Sequence, residues 1–357
     1  MSGSEHEDAQ YSFYPLLQME EPKDAQYCFQ DRNSSCRKTS MSTFIYITLY
    51  TFFSLISVVT VFLNLLVIIS ISHFKQLQTP TNLLILSLAV SDLLVGLIVI
   101  PASTVAILES CWVLGEYFCA LLLYAIFLCA SSSLGNLILL SFDRYVAVCD
   151  PLFYHLKITT RRTMCCISIT WCCCIIYDAT LINIYVDAQV PSICFEECYL
   201  LDGHFWVNIM DIVITFVIPC SIILTLYLKI FMVARSQARQ VYSKKAATVS
   251  GVKTIQASKS ERKATKTLGI VVFNYLVFWN PFFLSSFLFS SNNNLASYFV
   301  TFLPLVNSLI NPIIYAFFYP WFKVATKQIL TLQLRHLFCL QWIYIRLQEK
   351  VGNLFNY

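Results

Sequence analysis

Asn307-Ser308-Leu309-Ile310-Asn311-Pro312-Ile313-Ile314-Tyr315, followed closely by Tyr319-Pro320-Trp321-Phe322, is the stretch whose reading decides the fold. An Asn-Pro pair inside an apolar helix is costly, because Pro312 removes a backbone donor and its ring clashes with the preceding turn. In hydrocarbon the freed carbonyls must find partners on neighbouring helices, side chains or ordered water. Asn307, Ser308, Asn311 and Tyr315 are spaced to supply them. The composition around this stretch points the same way: 57% of residues are hydrophobic and 12% are charged, far from the balance of a water-soluble domain.

Working outward, seven stretches are apolar over about 20 residues or more, the length that crosses a bilayer as a helix. They are residues 44–71, 81–108, 118–148, 163–184, 205–234, 265–290 and 295–318. The segments between them are too short for a second globular domain, and no internal repeat interrupts the series. The expected fold is an all-α membrane protein: a seven-helix bundle followed by a short amphipathic helix from Pro320 to about Leu332 on the inner membrane surface. The corresponding organisation is an extracellular segment 1–43, a membrane domain 44–318, and the amphipathic helix with a tail over 319–357. Residues 1–40 contain no apolar signal-peptide core, so the first span is expected to act as its own signal anchor.

The distribution of charge orients the bundle. Of 24 Lys and Arg, only Lys23, Arg32, Arg37 and Lys38 precede the first span. All the others lie in loops 1, 3 and 5, at the helix ends facing those loops, or in the tail. Loops 2, 4 and 6 contain none, and the first two of these carry Glu109, Glu116, Asp187, Glu196, Glu197 and Asp202. This positive-inside pattern places the N-terminus outside and the tail in the cytoplasm, as an odd number of spans requires. The net charge of +4 therefore belongs to a cytoplasmic membrane face and gives no indication of nucleic-acid binding.

The motifs in several spans agree. Asn311-Pro312 and Tyr315 in the last span, Asp143-Arg144-Tyr145 at the cytoplasmic end of the third, and Trp279-Asn280-Pro281 in the sixth together resemble the class A (rhodopsin-like) G protein-coupled receptors. The full run from Asn307-Ser308 to Trp321-Phe322 is similar to the fingerprint of one subfamily, the trace amine-associated receptors. The resemblance implies a receptor in the plasma membrane that couples a small amine to a heterotrimeric G protein. A stimulatory, cAMP-raising G protein is implied, as in olfactory signalling. It also implies that Arg144 is latched to Asp143 and to Glu261 at the start of the sixth helix, and that Tyr227 and Tyr315 take over Arg144 when the bundle opens about the Pro281 kink. Asp92 lies in mid-membrane, where an ionisable residue is expensive and usually functional. With Ser133, Asn307, Ser308 and Asn311 it matches a cluster that holds a sodium ion in many relatives. The other reading of Asp92 is a hydrogen-bonded, protonated acid. No other cofactor is implied.

The same resemblance assigns the cysteines on the outer side. Most of the 15 Cys lie in apolar spans, where they act as small apolar residues. Those outside are in a disulfide-permitting compartment, and the family implies bridges Cys119–Cys198 and Cys36–Cys194, with Cys28 a rival for Cys36. Asn33-Ser34-Ser35 is an outward-facing glycosylation sequon. In the tail, Cys339 is a candidate for palmitoylation.

In the expected ligand pocket the chain departs from the aminergic pattern. Most aminergic receptors carry an Asp seven residues after the third-helix Cys, which here is Ile126; a helper tyrosine seven residues before the seventh-helix Pro is here Leu305. Both halves of that anchor are absent. Asp211 stands eight residues before Pro219 in the fifth helix, about two turns above it, in the outer half of the membrane. A lone carboxylate there is hard to keep ionised, and a bound ammonium would offset that cost. A subset of fish trace amine-associated receptors looks similar, with the third-helix Asp lost and a fifth-helix Asp present. Asp178, seven residues after Trp171, is at a similar depth, and two nearby carboxylates suit a diamine or share a proton. Ile126, Phe127, Ala130, Phe282 and Phe283 supply apolar and cation–π walls. Ser131, Thr215 and Ser286 offer polar contacts.

The competing reading, a membrane transporter, predicts ligand flux without nucleotide exchange, and the motifs at Arg144, Trp279 and Asn311-Pro312 count against it. A receptor for a neutral odorant is the rival within the class. No catalytic triad, metal-ligand spacing or phosphate-cradling loop is present, and only 8 Gly occur in the chain, which excludes an enzyme.

Overall fold

The computed structural model describes residues 42–109, 114–187, 205–245, 267–282, 295–319 and 321–331. Among them all regular structure is helical. Helix α1 is Thr43–His73. Helix α2 runs as Pro80–Leu94, a π-helical turn Val95–Val99, and Ile100–Leu108. Helix α3 is Gly115–Cys149, and α4 is Thr160–Asp187. Helix α5 runs as Phe205–Ile212, a π turn Val213–Val217, and Ile218–Lys245. Helices α6, α7 and α8 are Thr267–Phe282, Leu295–Phe318 and Trp321–Thr331.

Five of these helices are long and apolar enough to cross a membrane, and a sixth is reached when Phe302–Phe318 is taken together with Trp321–Thr331. Helix α6 is apolar but shorter; the rest of the expected sixth span lies outside the described residues. Elsewhere the helices begin and end close to the expected spans, except that α5 continues through Arg235, Arg239 and Lys244. Hydropathy marks where lipid stops, and a helix of good formers continues past that point.

The prolines explain the irregular turns. Pro101 and Pro219 each follow the last residue of a π turn by two positions. Each ring deprives a carbonyl one turn back of its donor, and a wider turn absorbs the clash. In α2 the Ser57 hydroxyl of α1 donates to the Gly96 carbonyl (2.7 Å) within that turn. Thr79 caps α2, its hydroxyl accepting from the Asn82 backbone N–H (3.3 Å), with Pro80 at the first helical position, a favourable start.

The bundle turns large apolar side chains outward, including Phe52, Phe62, Ile176 and Phe231, as lipid contact allows. Its core joins Leu84 and Leu88 of α2, Leu137 of α3, Ile223 of α5, Leu268 of α6 and Tyr315 of α7. Phe322 and Ile329 of α8 reach the same core, so the amphipathic helix is seated against the bundle by its apolar face. A β-carbon on Gly135 of α3 would stand 2.5 Å from Thr170 Cγ2 of α4, closer than two carbons approach. Only glycine lets α3 and α4 come this near. One turn above Gly135 is Ser131, which meets Asp178 of α4.

Candidate functional site

The expected ligand site draws on α3, α4 and α5. Ser131 donates to Asp178 Oδ2 at 2.6 Å. Tyr177, the preceding residue on α4, donates to Asp211 Oδ1 at 2.9 Å. Successive residues on a helix point about 100° apart, so α4 reaches α3 with one side chain and α5 with the next. Both carboxyl-bearing residues are buried, Asp178 at 1% exposure and Asp211 at 7%. Asp178 Oδ1 is buried with no hydrogen-bond partner. The Thr215 hydroxyl bonds the Asp211 backbone carbonyl at 2.8 Å, inside the π turn of α5. Tyr124, seven residues before Ser131, shares the same face of α3.

Ile126 packs, together with Leu305 of α7, against an apolar cluster formed by Val95, Val99, Ile100 and Cys129. Five residues separate it from Ser131, a rotation of about 140° round the helix, so it faces α2 and α7. The two positions that lack an aminergic anchor therefore meet in one apolar cluster. Phe127 and Ala130 are half-buried, and Phe127 shares the Ser131 face. Phe282 meets Trp279 edge to face, with centroids 6.1 Å apart, and Trp279 stacks on Tyr275 at 5.4 Å. Phe283 and Ser286 lie outside the described residues.

In mid-membrane, Asn311 Nδ2 donates to Asp92 Oδ2 at 2.9 Å, and Asn64 donates to the Ser308 carbonyl at 3.1 Å. Asp92 Oδ1, Asn311 Oδ1 and Asn64 Oδ1 are buried acceptors with no partner. Two expected members of this group are engaged elsewhere. Ser133 lies 2.8 Å from the Ser91 hydroxyl, and Asn307 accepts from Asn274 of α6 at 2.6 Å; no hydrogen bond joins either to Asp92.

At the cytoplasmic end, Arg144 donates through Nε (2.9 Å) and Nη2 (2.5 Å) to Asp143 Oδ2. The Thr81 hydroxyl of α2 accepts from Arg144 Nη2 (2.6 Å) and donates to Asp143 Oδ2 (2.8 Å). The Tyr154 hydroxyl, on a one-turn helix Tyr154–Lys157 between α3 and α4, donates to Asp143 Oδ1 (2.9 Å). Burial and the Asp143 carboxylate hold the Tyr154 phenol above its ordinary range, so it remains a donor. The pair is sealed, with Asp143 2% and Arg144 7% exposed. Tyr227 of α5 and Tyr319 lie where they feel the Arg144 charge. Their hydroxyls and that of Tyr315 are buried without a hydrogen-bond partner. Tyr145 lies under the Lys229 ammonium, 5.9 Å from its ring centroid. Pro281 is next to the last described residue of α6, and Glu261 lies outside the described residues.

Cys119 is disulfide-bonded to a partner outside the described residues. Cys28, Cys36, Cys194, Cys198, Asn33 and Cys339 also lie outside them. The residues that sequence reasoning missed are Tyr177, Tyr124, Thr81, Tyr154, Ser91 and Asn274. Of these only Tyr177 had a local signal, its position beside Asp178.

Comparison with known proteins places the arrangement. Residues 63–315 match the family described as 7 transmembrane receptor (rhodopsin family). The chain is 38% identical over 322 residues to Trace amine-associated receptor 7e of Mus musculus, covering 86% of this chain and 88% of the relative. It is 38% identical over 324 residues to receptor 8a of Rattus norvegicus, covering 86% and 92%. It is 37% identical over 331 residues to receptor 13c of Danio rerio, covering 89% and 96%.

Proposed function

The chain belongs to the trace amine-associated receptors of the rhodopsin family, and from that premise we propose that it is a chemosensory receptor whose ligand is a charged amine held by Asp211 of α5. The observation that carries this reading is a displacement of charge. The third- and seventh-helix anchor positions, Ile126 and Leu305, are apolar and pack against one apolar cluster. A carboxyl group stands instead on α5, oriented by Tyr177. An ammonium docked there takes a charge-assisted hydrogen bond from a buried acid, and aromatic rings nearby add cation–π attraction. On this reading the chain resembles the fish subset in which a fifth-helix acid replaces the third-helix one.

The Lys and Arg distribution supports an N-terminus outside and a tail inside. A bound agonist favours one arrangement of a two-state bundle, in which the cytoplasmic end opens and Arg144 exchanges Asp143 for Tyr227 and Tyr315. The coupled partner is a stimulatory G protein, recruited by the basic stretch 259–267 with Lys244 and Lys245 upstream of it. The test is a cAMP reporter in cells expressing the chain, challenged with alkylamines and with alcohols of equal length. Amines are expected to raise cAMP while the alcohols stay silent; a response to the alcohols alone moves the reading to a neutral odorant.

The mid-membrane cluster fits a sodium ion. A hard cation takes oxygen ligands, and Asp92, Asn311 and Asn64 present buried acceptor oxygens with no partner. Asp92, Asn311 and Ser308 would hold the ion, which would neutralise the carboxylate and favour the closed arrangement. Replacing external sodium with choline is then expected to increase agonist potency in the wild type, and Asp92→Asn to remove that sensitivity. Equal potency in both salts counts against sodium and leaves Asp92 a protonated structural acid.

A further inference from the structure

Resting on the two-state reading of the bundle, we propose that Asn274 of α6 is a latch residue: its amide ties α6 to Asn307 of α7 in the closed arrangement, and α6 swings only when that bond is released. The first support is the bond itself. Asn274 Nδ2 donates to Asn307 Oδ1 at 2.6 Å, and both residues are buried, at 8% and 3% exposure. The neighbours of Asn274 that α6 sends into the core are apolar or aromatic: Leu268, Val271, Val272 and Tyr275. Apolar contact is non-directional, so those four can be remade as α6 turns. An amide needs a partner in a fixed direction, and breaking the bond in an apolar core leaves buried polar groups unsatisfied. The Asn274–Asn307 contact is therefore either made or broken.

The second support is where the two ends of the bond stand. Asn274 precedes Pro281 by about two turns, on the segment that moves when the bundle opens about that kink. Asn307 belongs to a helix held from two other sides. One turn further along α7, Asn311 donates to Asp92 of α2 (2.9 Å), and the Ser308 carbonyl accepts from Asn64 of α1 (3.1 Å). Residues 307, 308 and 311 of α7 thus reach α6, α1 and α2 in turn. Two of these bonds fix α7 in place, and the third fastens the moving helix to it. The bonds around Asp143 join α3 to α2 and to the one-turn helix Tyr154–Lys157, so Asn274 adds a separate restraint on α6 itself. The same bond gives Asn307 Oδ1 a partner on α6, in place of the sodium cluster to which the resemblance assigned it.

The experiment measures ligand-independent nucleotide exchange by the full-length receptor in membranes, with each class of heterotrimeric G protein in turn, so that it depends neither on the ligand nor on the G protein type. Asn274→Leu keeps a branched side chain and removes the amide. At matched surface level it is expected to raise basal exchange by about fivefold, the size of one net hydrogen bond. Asn307→Leu is expected to do the same, and the double variant to go no further than either alone, because all three lose one shared bond. A side chain needed only for folding would lower surface level and maximal exchange together, with no basal rise. Asp143→Asn is measured beside them. If it raises exchange and Asn274→Leu does not, the α6–α7 latch is overturned while the two-state reading stands; if neither does, both fall. Effects that add in the double variant overturn the pairing of Asn274 with Asn307. Should Asn274→Leu not reach the surface, Asn274→Ala, which removes the amide without adding volume, is read by the same measure.

Discussion

Asp211→Asn is expected to abolish the amine response, shifting potency by roughly a hundredfold or more, at unchanged surface level. The replacement is nearly isosteric and keeps an oxygen for the Tyr177 hydroxyl to donate to, so the fold loses little. What it removes is the charge. Two unit charges at about 4 Å attract by roughly 4 kcal/mol at an effective dielectric near 20, about a thousandfold in a binding constant, and part of this is offset by desolvating the ligand. The check is a cAMP concentration–response curve for both proteins with cell-surface labelling in parallel. Wild-type potency in the variant removes Asp211 from ligand binding.

Asp143→Asn is expected to raise ligand-independent cAMP several-fold. Arg144 is buried and takes its charge partner from Asp143, while Thr81 and Tyr154 complete a closed set of bonds around that carboxylate. Removing one member of a buried ion pair costs roughly 3–5 kcal/mol. On the proposed reading the loss falls on the closed arrangement, because in the open one Arg144 would be released to the hydroxyls of Tyr227 and Tyr315, which are buried without a partner. A shift of even a few kcal/mol between two states changes their ratio by orders of magnitude. Basal cAMP at matched surface expression is the readout; an unchanged basal level, with unchanged amine potency, contradicts the latch. Tyr154→Phe removes one bond of the same set and should act in the same direction with a smaller effect.

How much of this was legible in the sequence depends on the range of the signal. The helices were legible because lipid imposes a long run of apolar residues, and Asn311-Pro312 identified the last of them. Asp211 and Asp178 were read as a pair at one depth, because Pro219 and Trp171 fix the count along each helix. Their orientation was not. Whether Tyr177 turns to α3 or to α5 depends on helix rotation, which an evenly apolar α4 does not encode. Ile126 was read both as a lost anchor and as a pocket wall; its packing toward α2 was not legible, since its direction depends on how α3 rotates against α2. Thr81 lies 62 residues from Asp143, and a threonine near a helix start carries no mark of a distant partner. The two π turns had a signal that was overlooked: each precedes a proline by the same spacing.

The central claim is that a positive charge on the ligand meets a carboxylate in the outer half of the bundle. The most direct measurement is wild-type potency across external pH for an amine whose own pKa lies within the assay range, beside its permanently charged quaternary ammonium counterpart. The account predicts that potency of the titrating amine falls in proportion to its protonated fraction as pH rises, while that of the quaternary ligand holds steady. Potency of the titrating amine that is constant or improves as it loses its proton would contradict it.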